Sequence, residues 1–332
     1  MDNAINNDFI KKNLSVENLT TVYKKNYLYF QKDFMKFQSI FLSDIYKRYN
    51  NDLDSANIVL FFAKKLHGQI LRQKDTDLNY DISFESFWDN HSKISQEEVK
   101  IVEISKATGL PKETSRRKIQ DLIKTNVLKK IDKRIYWSPS VKDKDSYNLI
   151  VTKHVDNILD LLKVVSNKLN LEFDKEKTRV DILNNYSFYT FHYLKTQLLY
   201  LKFWQKKIND LELLLIGIEL SISANHLLSE KQITFDNYFI FKKANFKDTG
   251  ASAVSASLVS NTTGIPRATC IRKLEKLAKM KIVKKNDKNK KYYLDSNSIN
   301  SDFGSKDATH SVIEIFSEFY SIILKAFLRN KN

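Results

Sequence analysis

The stretch "TGLPKETSRRKIQDLIKTNVLKK" at residues 108–130 occurs a second time, with changes, as "TGIPRATCIRKLEKLAKMKIVKK" at residues 263–285. Ten of the 23 positions are identical, and a constant 155 residues separates each pair. Two of the chain's three prolines, Pro111 and Pro266, occupy the same place in both copies. Similarity of this length within one chain indicates an internal repeat.

Weaker matches flank the repeat in the same order on both sides. They are "FMKFQSIFL" (34–42) with "YLKTQLLYL" (193–201), "ISFESF" (82–87) with "ITFDNY" (233–238), and "TKHVDNIL" (152–159) with "THSVIEIF" (309–316). Four matches in one order favour a duplicated unit of roughly 140–150 residues, which predicts domains at 1–170 and 171–332. The alternative is a single motif duplicated inside otherwise unrelated domains.

Apolar periodicity predicts the same helices in each half. The expected helices lie at about 28–48, 54–73 and 146–169 in the first half, and at about 187–207, 210–228 and 306–329 in the second. A variable loop is expected between the second helix and the repeated stretch. The polar segment 167–185 contains no glycine or proline, so we expect it to link the halves as a semi-rigid or helical connection.

The repeated stretch has the pattern of two helices joined by a short turn. Residues 96–106 have helical spacing, and Gly109 is suited to the left-handed conformation that ends a helix. Pro111 suits the first turn of the next helix, where its missing N–H has no consequence. Ile119 and Leu122 then form an inward stripe, which leaves the basic residues on the outward face. Two helices joined in this way are the signature of a helix-turn-helix.

A change of period follows the second helix in both copies. "VLKKIDKRIYW" (127–137) and "IVKKNDKNKKYYL" (282–294) place β-formers on both sides of a short polar turn. Each therefore predicts a β-hairpin directly after the helix-turn-helix.

Positive charge is concentrated at the same two places. The whole chain has a net charge of +16, of which residues 112–134 contribute +6 and residues 267–291 contribute +9. Two basic patches on a nearly neutral body favour a polyanionic partner, with nucleic acid first.

With these motifs in hand, "TGLPKETSRRKI" and "TGIPRATCIRKL", followed by "NVLKK" and "KIVKK", resemble the winged helix-turn-helix module of bacterial regulators. Helices before and after the module resemble the element order of MarR-type regulators, in which such helices form a dimer interface. The resemblance implies a mainly α fold with short β-hairpin wings, in which the winged helices occupy 95–138 and 250–295. It also implies a tandem, internally duplicated winged helix-turn-helix that acts as a pseudo-dimer, binds double-stranded DNA and regulates transcription.

The candidate DNA-binding residues lie on the second helix and the wing of each copy. In the first copy they are Lys112, Thr114, Arg116, Arg117, Gln120, Lys133 and Arg134, and in the second Arg267, Thr269, Arg272, Lys273, Lys288, Lys290 and Lys291. Arginine near a helix N-terminus reaches guanine edges in the major groove, and wing lysines reach the backbone. Because the copies differ on this face, we expect an asymmetric operator with two half-sites about one helical turn apart.

The sequence gives little support for an enzyme, and we expect no cofactor and no metal site. The six histidines lie at scattered positions, and no phosphate-binding or nucleophile motif is present. The only cysteine, Cys270, takes the place of Ser115 and is expected to be structural rather than a redox sensor. The longest apolar run, at 211–224, contains two glutamates and predicts a core helix. We therefore expect a soluble cytoplasmic monomer with internal pseudo-symmetry.

Two questions stay open at this level. The aromatic residues of segments 27–41 and 186–204 are expected to form core packing, and a pocket for a small aromatic effector is the alternative. Paired winged helices also resemble plasmid-type replication initiators and protein-interaction scaffolds. Salt-dependent binding separates DNA binding from a scaffold, and the location of the bound site separates an initiator from a regulator.

Overall fold

The computed structural model describes residues 13–140, 142, 144–226, 233–245, 252–295 and 304–329. For residues 241–245 it describes the backbone alone. These residues are mainly helical and include two small two-stranded antiparallel sheets. The coarse fold prediction, mainly α with two short hairpins, is therefore confirmed. No helix in these ranges is both long enough and apolar enough to cross a membrane.

The two halves of the described chain contain the same order of elements. The first half has α1 (Val16–Lys25), α2 (Tyr27–Arg48), α3 (Leu53–Thr76), α4 (Phe84–Asn90), α5 (Ile101–Thr108), α6 (Lys112–Lys124), β1 (Leu128–Ile131), β2 (Arg134–Trp137) and α7 (Lys144–Lys168). The second half has α8 (Lys175–Asn184), α9 (Tyr186–Ile208), α10 (Leu211–His226), α11 (Phe235–Asn245), α12 (Ala256–Thr263), α13 (Arg267–Lys279), β3 (Val283–Lys285), β4 (Tyr292–Leu294) and α14 (Lys306–Arg329). This shared order is what a duplicated unit would give.

Contacts group the chain differently from the predicted boundary at residue 170. Within the described ranges, the first compact unit comprises residues 54–206 and 319–329, and the second comprises residues 13–53 and 207–318. Helix α2 therefore belongs to the unit that contains the second copy of the repeated stretch, and most of α9 belongs to the unit that contains the first copy. Each compact unit is built from elements of both halves.

In the first unit, α9 packs on α3. The Phe191 ring lies so close to Gly68 that a β-carbon there would be 3.0 Å from the ring, and Lys64 Nζ lies 5.6 Å from the ring centroid. The amide of Ser187, at the start of α9, donates to the carbonyl of Ile82 over 3.1 Å. Buried His67 stacks on Phe87 with ring centroids 5.2 Å apart.

The second unit repeats this arrangement with the helices exchanged. Helix α2 packs along α10, and the Ser39 hydroxyl on α2 donates to the Glu219 carboxylate on α10. The amide of Leu28, at the start of α2, donates to the carbonyl of Ile233 over 3.2 Å, as Ser187 does to Ile82. In both units the first long helix of one half is therefore bonded to the segment that precedes the fourth helix of the other half.

The structure refines several of the predicted elements. The expected linker contains helix α8, in agreement with the semi-rigid or helical connection predicted there, and this helix begins where Asp174 accepts hydrogen bonds from the amides of Glu176 and Lys177. The expected variable loop contains α4, whose N-cap Ser83 accepts from the Ser86 amide. The helix expected at 96–106 begins only at Ile101, because Gln96 is used to extend the hairpin, as described below.

Aromatic side chains of α2 pack in the core of the second unit. Tyr27 lies 5.3 Å from Phe235 and 4.9 Å from Tyr238 between ring centroids, and Phe34 lies 4.8 Å from Phe316. All five of these side chains are buried. This packing accounts for them as core residues, and a bound aromatic effector stays a prediction.

Candidate nucleic-acid interface

The turn between the two helices of each repeated stretch has the same backbone geometry. Gly109 has φ 80° and ψ 0°, and Gly264 has φ 79° and ψ 0°. Both are the left-handed C-caps predicted for them, and each donates its amide to a carbonyl four residues earlier over 2.9 Å. Pro111 and Pro266 are N-caps of the next helix rather than residues of its first turn, which corrects the predicted position by one residue.

A threonine before each glycine holds the turn from inside. The Thr108 hydroxyl donates to the Ile104 carbonyl over 2.7 Å, and its oxygen accepts from the Leu110 amide over 3.3 Å. Thr263 makes the equivalent bonds at 2.6 Å and 3.1 Å. Both threonines are fully buried, so these bonds satisfy groups that water does not reach.

Each turn lies against the exchanged helix of its unit. A β-carbon at Gly109 would lie 3.4 Å from the Lys202 carbonyl oxygen and from Gln205 Cβ on α9. A β-carbon at Gly264 would lie 2.5 Å from Lys47 Cε on α2. The glycines are therefore needed for their backbone conformation, and at Gly264 a β-carbon would also require the flexible Lys47 side chain to shift.

The inner faces of α6 and α13 are apolar and buried, as the helical spacing predicts. The buried residues include Ile119 and Leu122 on α6, and Leu274 and Leu277 on α13. Ser115 and Cys270 occupy equivalent buried positions, and the Cys270 thiol donates to the Ile265 carbonyl over 3.3 Å. Burial raises the pKa of Cys270 to about 11, which keeps it a thiol at neutral pH. This supports the structural role predicted for it, because the thiolate is the reactive form.

The outer faces contain most of the predicted DNA-binding residues. Exposed residues on the helices are Lys112, Arg116, Arg117, Gln120, Arg267 and Arg272, and exposed residues on the hairpins are Lys133, Arg134, Lys288, Lys290 and Lys291. Thr114 and Thr269 are half-buried in the first helical turn. Arg116 pairs with Glu113 over 3.1 Å, with both side chains largely exposed.

Lys273 is an exception, and its prediction as a DNA contact needs correction. Its ammonium lies 2.7 Å from Asp210 and 2.9 Å from Glu212, and the side chain is only 11% exposed. Burial by itself lowers the pKa of Lys273, but the hydrogen bonds to both carboxylates outweigh burial and raise it. The lysine therefore fixes α13 to the start of α10, and a phosphate would have to displace two carboxylates to reach it.

A two-stranded antiparallel hairpin follows the second helix of each copy. Leu128 pairs with Trp137 in the first hairpin, and Val283 pairs with Leu294 in the second. In the second copy, Val254 adds a backbone bridge to Tyr292, with both hydrogen bonds at 2.8 Å.

In the first copy, the Gln96 side chain bonds to the second strand of the hairpin at Trp137, which matches Leu294 in register and lies two residues beyond the counterpart of Tyr292. Its Nε2 donates to the Trp137 carbonyl over 2.6 Å, and its Oε1 accepts from the Trp137 amide over 3.3 Å. The side-chain amide thus provides the donor and acceptor that a third strand would supply.

The second hairpin is also fixed to α13 by a side-chain cluster. Glu275 Oε1 lies 2.5 Å from Lys285 Nζ and accepts from the Tyr292 hydroxyl over 2.6 Å. Hydrogen bonds from Lys285 and Tyr292 lower the pKa of Glu275. By the register of the strands, the residues that correspond to this cluster in the first copy are Gln120, Lys130 and Ile135.

Sequence reasoning missed the acidic partners of Lys273, although a signal was present. The segments "NDLD" at 51–54 and "NDLE" at 209–212 match across the two halves. They place acidic residues at the start of α3 and α10, where a helix N-terminus favours negative charge. The match lies outside the main repeat, and nothing in its local pattern indicates that a lysine some 60 residues later is its partner.

Comparisons of the chain with protein-family models, with curated proteins and with solved structures found no match.

Proposed function

We propose that the chain is a double-stranded DNA-binding protein that regulates transcription through two winged helix-turn-helix motifs. The first motif comprises residues 95–138 and the second comprises residues 250–295. The observation that carries the proposal is that the exposed face of each motif's second helix and hairpin contains the basic residues, on a frame that is the same in both motifs.

The geometry suits major-groove binding in three respects. An α-helix fits the groove, and α6 and α13 each present arginine near the N-terminal end, where recognition helices meet base edges. The hairpin tips carry exposed lysines that suit phosphate oxygens. The inner face of each helix is buried in its own unit, so binding would need no unfolding of the motif.

The two motifs present different side chains on a common backbone, which favours two unlike half-sites. Arg116 corresponds to Ile271, and Gln120 corresponds to Glu275. A symmetric homodimer reads a palindrome, whereas one chain with two different motifs reads an asymmetric operator. We attribute the two motifs to duplication of one ancestral unit, which the shared element order supports.

Selection of bound duplexes from a random library tests the proposal most directly. We expect a bipartite, asymmetric consensus, and affinity that falls by about 10³-fold between 50 and 200 mM salt if six phosphates are contacted. Arg117→Ala and Arg272→Ala should weaken binding, whereas Lys177→Ala, which removes an exposed lysine of α8 outside both motifs, should not.

The same experiment separates the competing functions. Binding that does not change with salt would reject DNA binding and favour a protein-interaction scaffold. A consensus found in repeated arrays at a replication origin, rather than ahead of promoters, would replace the regulator with an initiator. A strictly palindromic consensus would refute the asymmetric operator.

A further inference from the structure

The second helices of the two motifs differ in how many side chains remain available to a ligand. Between positions 112 and 120, the long polar side chains of Lys112, Arg117 and Gln120 are exposed and have no hydrogen-bond or ion-pair partner among the described residues. Over the equivalent positions 267–275, Arg272 alone meets this description. Within these positions the other long polar side chains, Arg267, Lys273 and Glu275, have partners in the protein.

Each engaged residue of α13 has a specific partner. Arg267 Nε donates to the Ser257 hydroxyl over 3.0 Å, and Lys273 is held by Asp210 and Glu212. Glu275 is held by Lys285 and Tyr292 of the hairpin. Lys273 and Glu275 must therefore give up a bond before either can bind a base, whereas the bond of exposed Arg267 uses only its Nε.

Positions 120 and 275 show the consequence most clearly. A glutamine amide both donates and accepts, and it pairs with adenine through two hydrogen bonds in the major groove. A glutamate only accepts, and Glu275 already accepts from an ammonium and a hydroxyl. Its charge also repels phosphate. Gln120 has neither constraint.

The hairpins differ in the opposite direction. The first hairpin turns tightly through Asp132 and Lys133, so its tip has one acidic residue beside Lys133 and Arg134. The second has a longer tip, in which the single acidic residue Asp287 is accompanied by three exposed lysines, Lys288, Lys290 and Lys291, with no ion pair to any of these lysines among the described residues.

Asn286 orders this longer tip. Its side-chain oxygen accepts from the Lys288 amide over 2.9 Å, and its backbone carbonyl accepts from the Lys290 amide over 2.8 Å. The lysines are therefore presented on a fixed loop, which suits contact with the DNA backbone.

We propose that the motifs divide the work of DNA binding: the first motif discriminates bases, with Gln120 and Arg117 as specificity determinants, while the second motif mainly anchors the phosphate backbone. In this arrangement Glu275 is a positioning residue that fixes the lysine-rich hairpin relative to α13. The inference rests on the proposed DNA binding and goes beyond it by assigning unequal roles to the two half-sites.

The test measures the affinity of the full chain for single-base variants of its selected duplex at one salt concentration. The variants Arg117→Ala and Arg272→Ala first show which half-site each motif binds. Each variant should change the base preference or the protein–DNA contacts in only one half of the duplex, and that half belongs to the motif that carries the substitution. Substitutions in the first motif's half-site should weaken binding by about 5- to 150-fold at directly contacted pairs, and those in the other half by less than about fivefold.

Matched variants at positions 120 and 275 test the roles of single residues. Gln120→Ala should remove the preference at one base pair, whereas Glu275→Gln should leave every base preference unchanged. Combined alanine substitution of Lys288, Lys290 and Lys291 should reduce the slope of log affinity against log salt by about two to three, with base preferences unchanged.

Three results would overturn the inference. Equal base penalties in both half-sites, or a base preference altered by Glu275→Gln, would reject the division of work while leaving DNA binding intact. An absence of salt-dependent binding to any duplex would reject the proposed function and this inference together.

Discussion

Replacing Lys273 with methionine separates structural charge from DNA-contacting charge. The lysine lies on the helix proposed to enter the groove, next to exposed Arg272, yet its ammonium is held by Asp210 and Glu212. Methionine keeps most of the side chain's length and apolar stem but removes the charge. We expect Lys273→Met to destabilise the second unit and to change DNA binding by the folded protein very little.

The size of the effect follows from burial. Removing one partner of a fully buried ion pair costs about 3–5 kcal/mol, because the remaining charge is left uncompensated. Here Asp210 and Glu212 retain 18% and 22% exposure, so water partly solvates them once the lysine is gone. We therefore expect a loss of about 2–3 kcal/mol. For a unit of this size, that loss lowers the melting temperature by about 5–10 °C.

The measurement combines thermal unfolding with a salt series of DNA binding, both at neutral pH. Lys276→Met is the matched control, because Lys276 is 53% exposed and lies 3.5 Å from the same Asp210. A mostly exposed ion pair contributes about 0–1 kcal/mol, so this variant should melt close to the unmodified chain. Arg272→Ala should show the reverse pattern, with unchanged melting and weakened binding.

Two results would contradict the reasoning. A Lys273→Met variant that melts like the control variant would mean that the ion pairs contribute nothing to the stability of the second unit. A variant of unchanged stability whose salt slope falls by about one contact would mean that Lys273 binds phosphate, as the sequence alone predicts.

Three further predictions concern the fold. Gly109→Ala and Gly264→Ala should each lower the free energy of unfolding, measured in urea, by about 1–2 kcal/mol, because L-residues disfavour positive φ. Asparagine at the same positions should lower it less, and equal losses for alanine and asparagine would refute the conformational argument. Burial lowers the pKa of His67 to about 3, so stability should be complete above about pH 6.5 and fall by about 1.4 kcal/mol per pH unit between there and about pH 3, as the unfolded chain takes up the proton. His67→Leu should flatten that part of the profile, and identical profiles would reject the assignment. Fragments 1–170 and 171–332 should each fail to fold alone and should recover the helical circular dichroism signal when mixed, because each compact unit uses elements of both halves. Independent folding of either fragment would contradict the exchange of α2 and α9 between the halves.

Local features of the sequence were sufficient to predict the long helices, the turns and the hairpins. Gly109, Pro111 and the apolar stripe of α6 each act within one or two turns of helix, and a reader of the sequence sees them directly. Charge could be localised in the same way, and the exposed arginines lie where the helical period places them. Boundaries were less accurate, since residue 96 has helical spacing but bonds to the hairpin at Trp137.

The partners of these elements could not be predicted in the same way. Lys273 satisfies the outward spacing of its helix, and only the three-dimensional position of Asp210 shows that its charge is already paired. The same reasoning applies to Glu275, whose partners lie on the following hairpin. A helical period assigns a side chain to a face of its helix, but it does not tell whether another element covers that part of the face.

The exchange of α2 and α9 between the halves could not be predicted for the same reason, because it depends on contacts between distant elements. It also explains why the two copies of the repeated stretch are alike at the turn. If both halves present similar helices to similar motifs, local pattern cannot indicate whether a motif packs on its own half's helix or on the other's. The contacts that result fall on the turn, where Gly109 meets α9 and Gly264 meets α2. Any side chain at these turns must suit a helix from the other half as well as its own backbone. The outer faces of α6 and α13 carry no such constraint, so Gln120 and Glu275 could diverge while the turns beneath them did not.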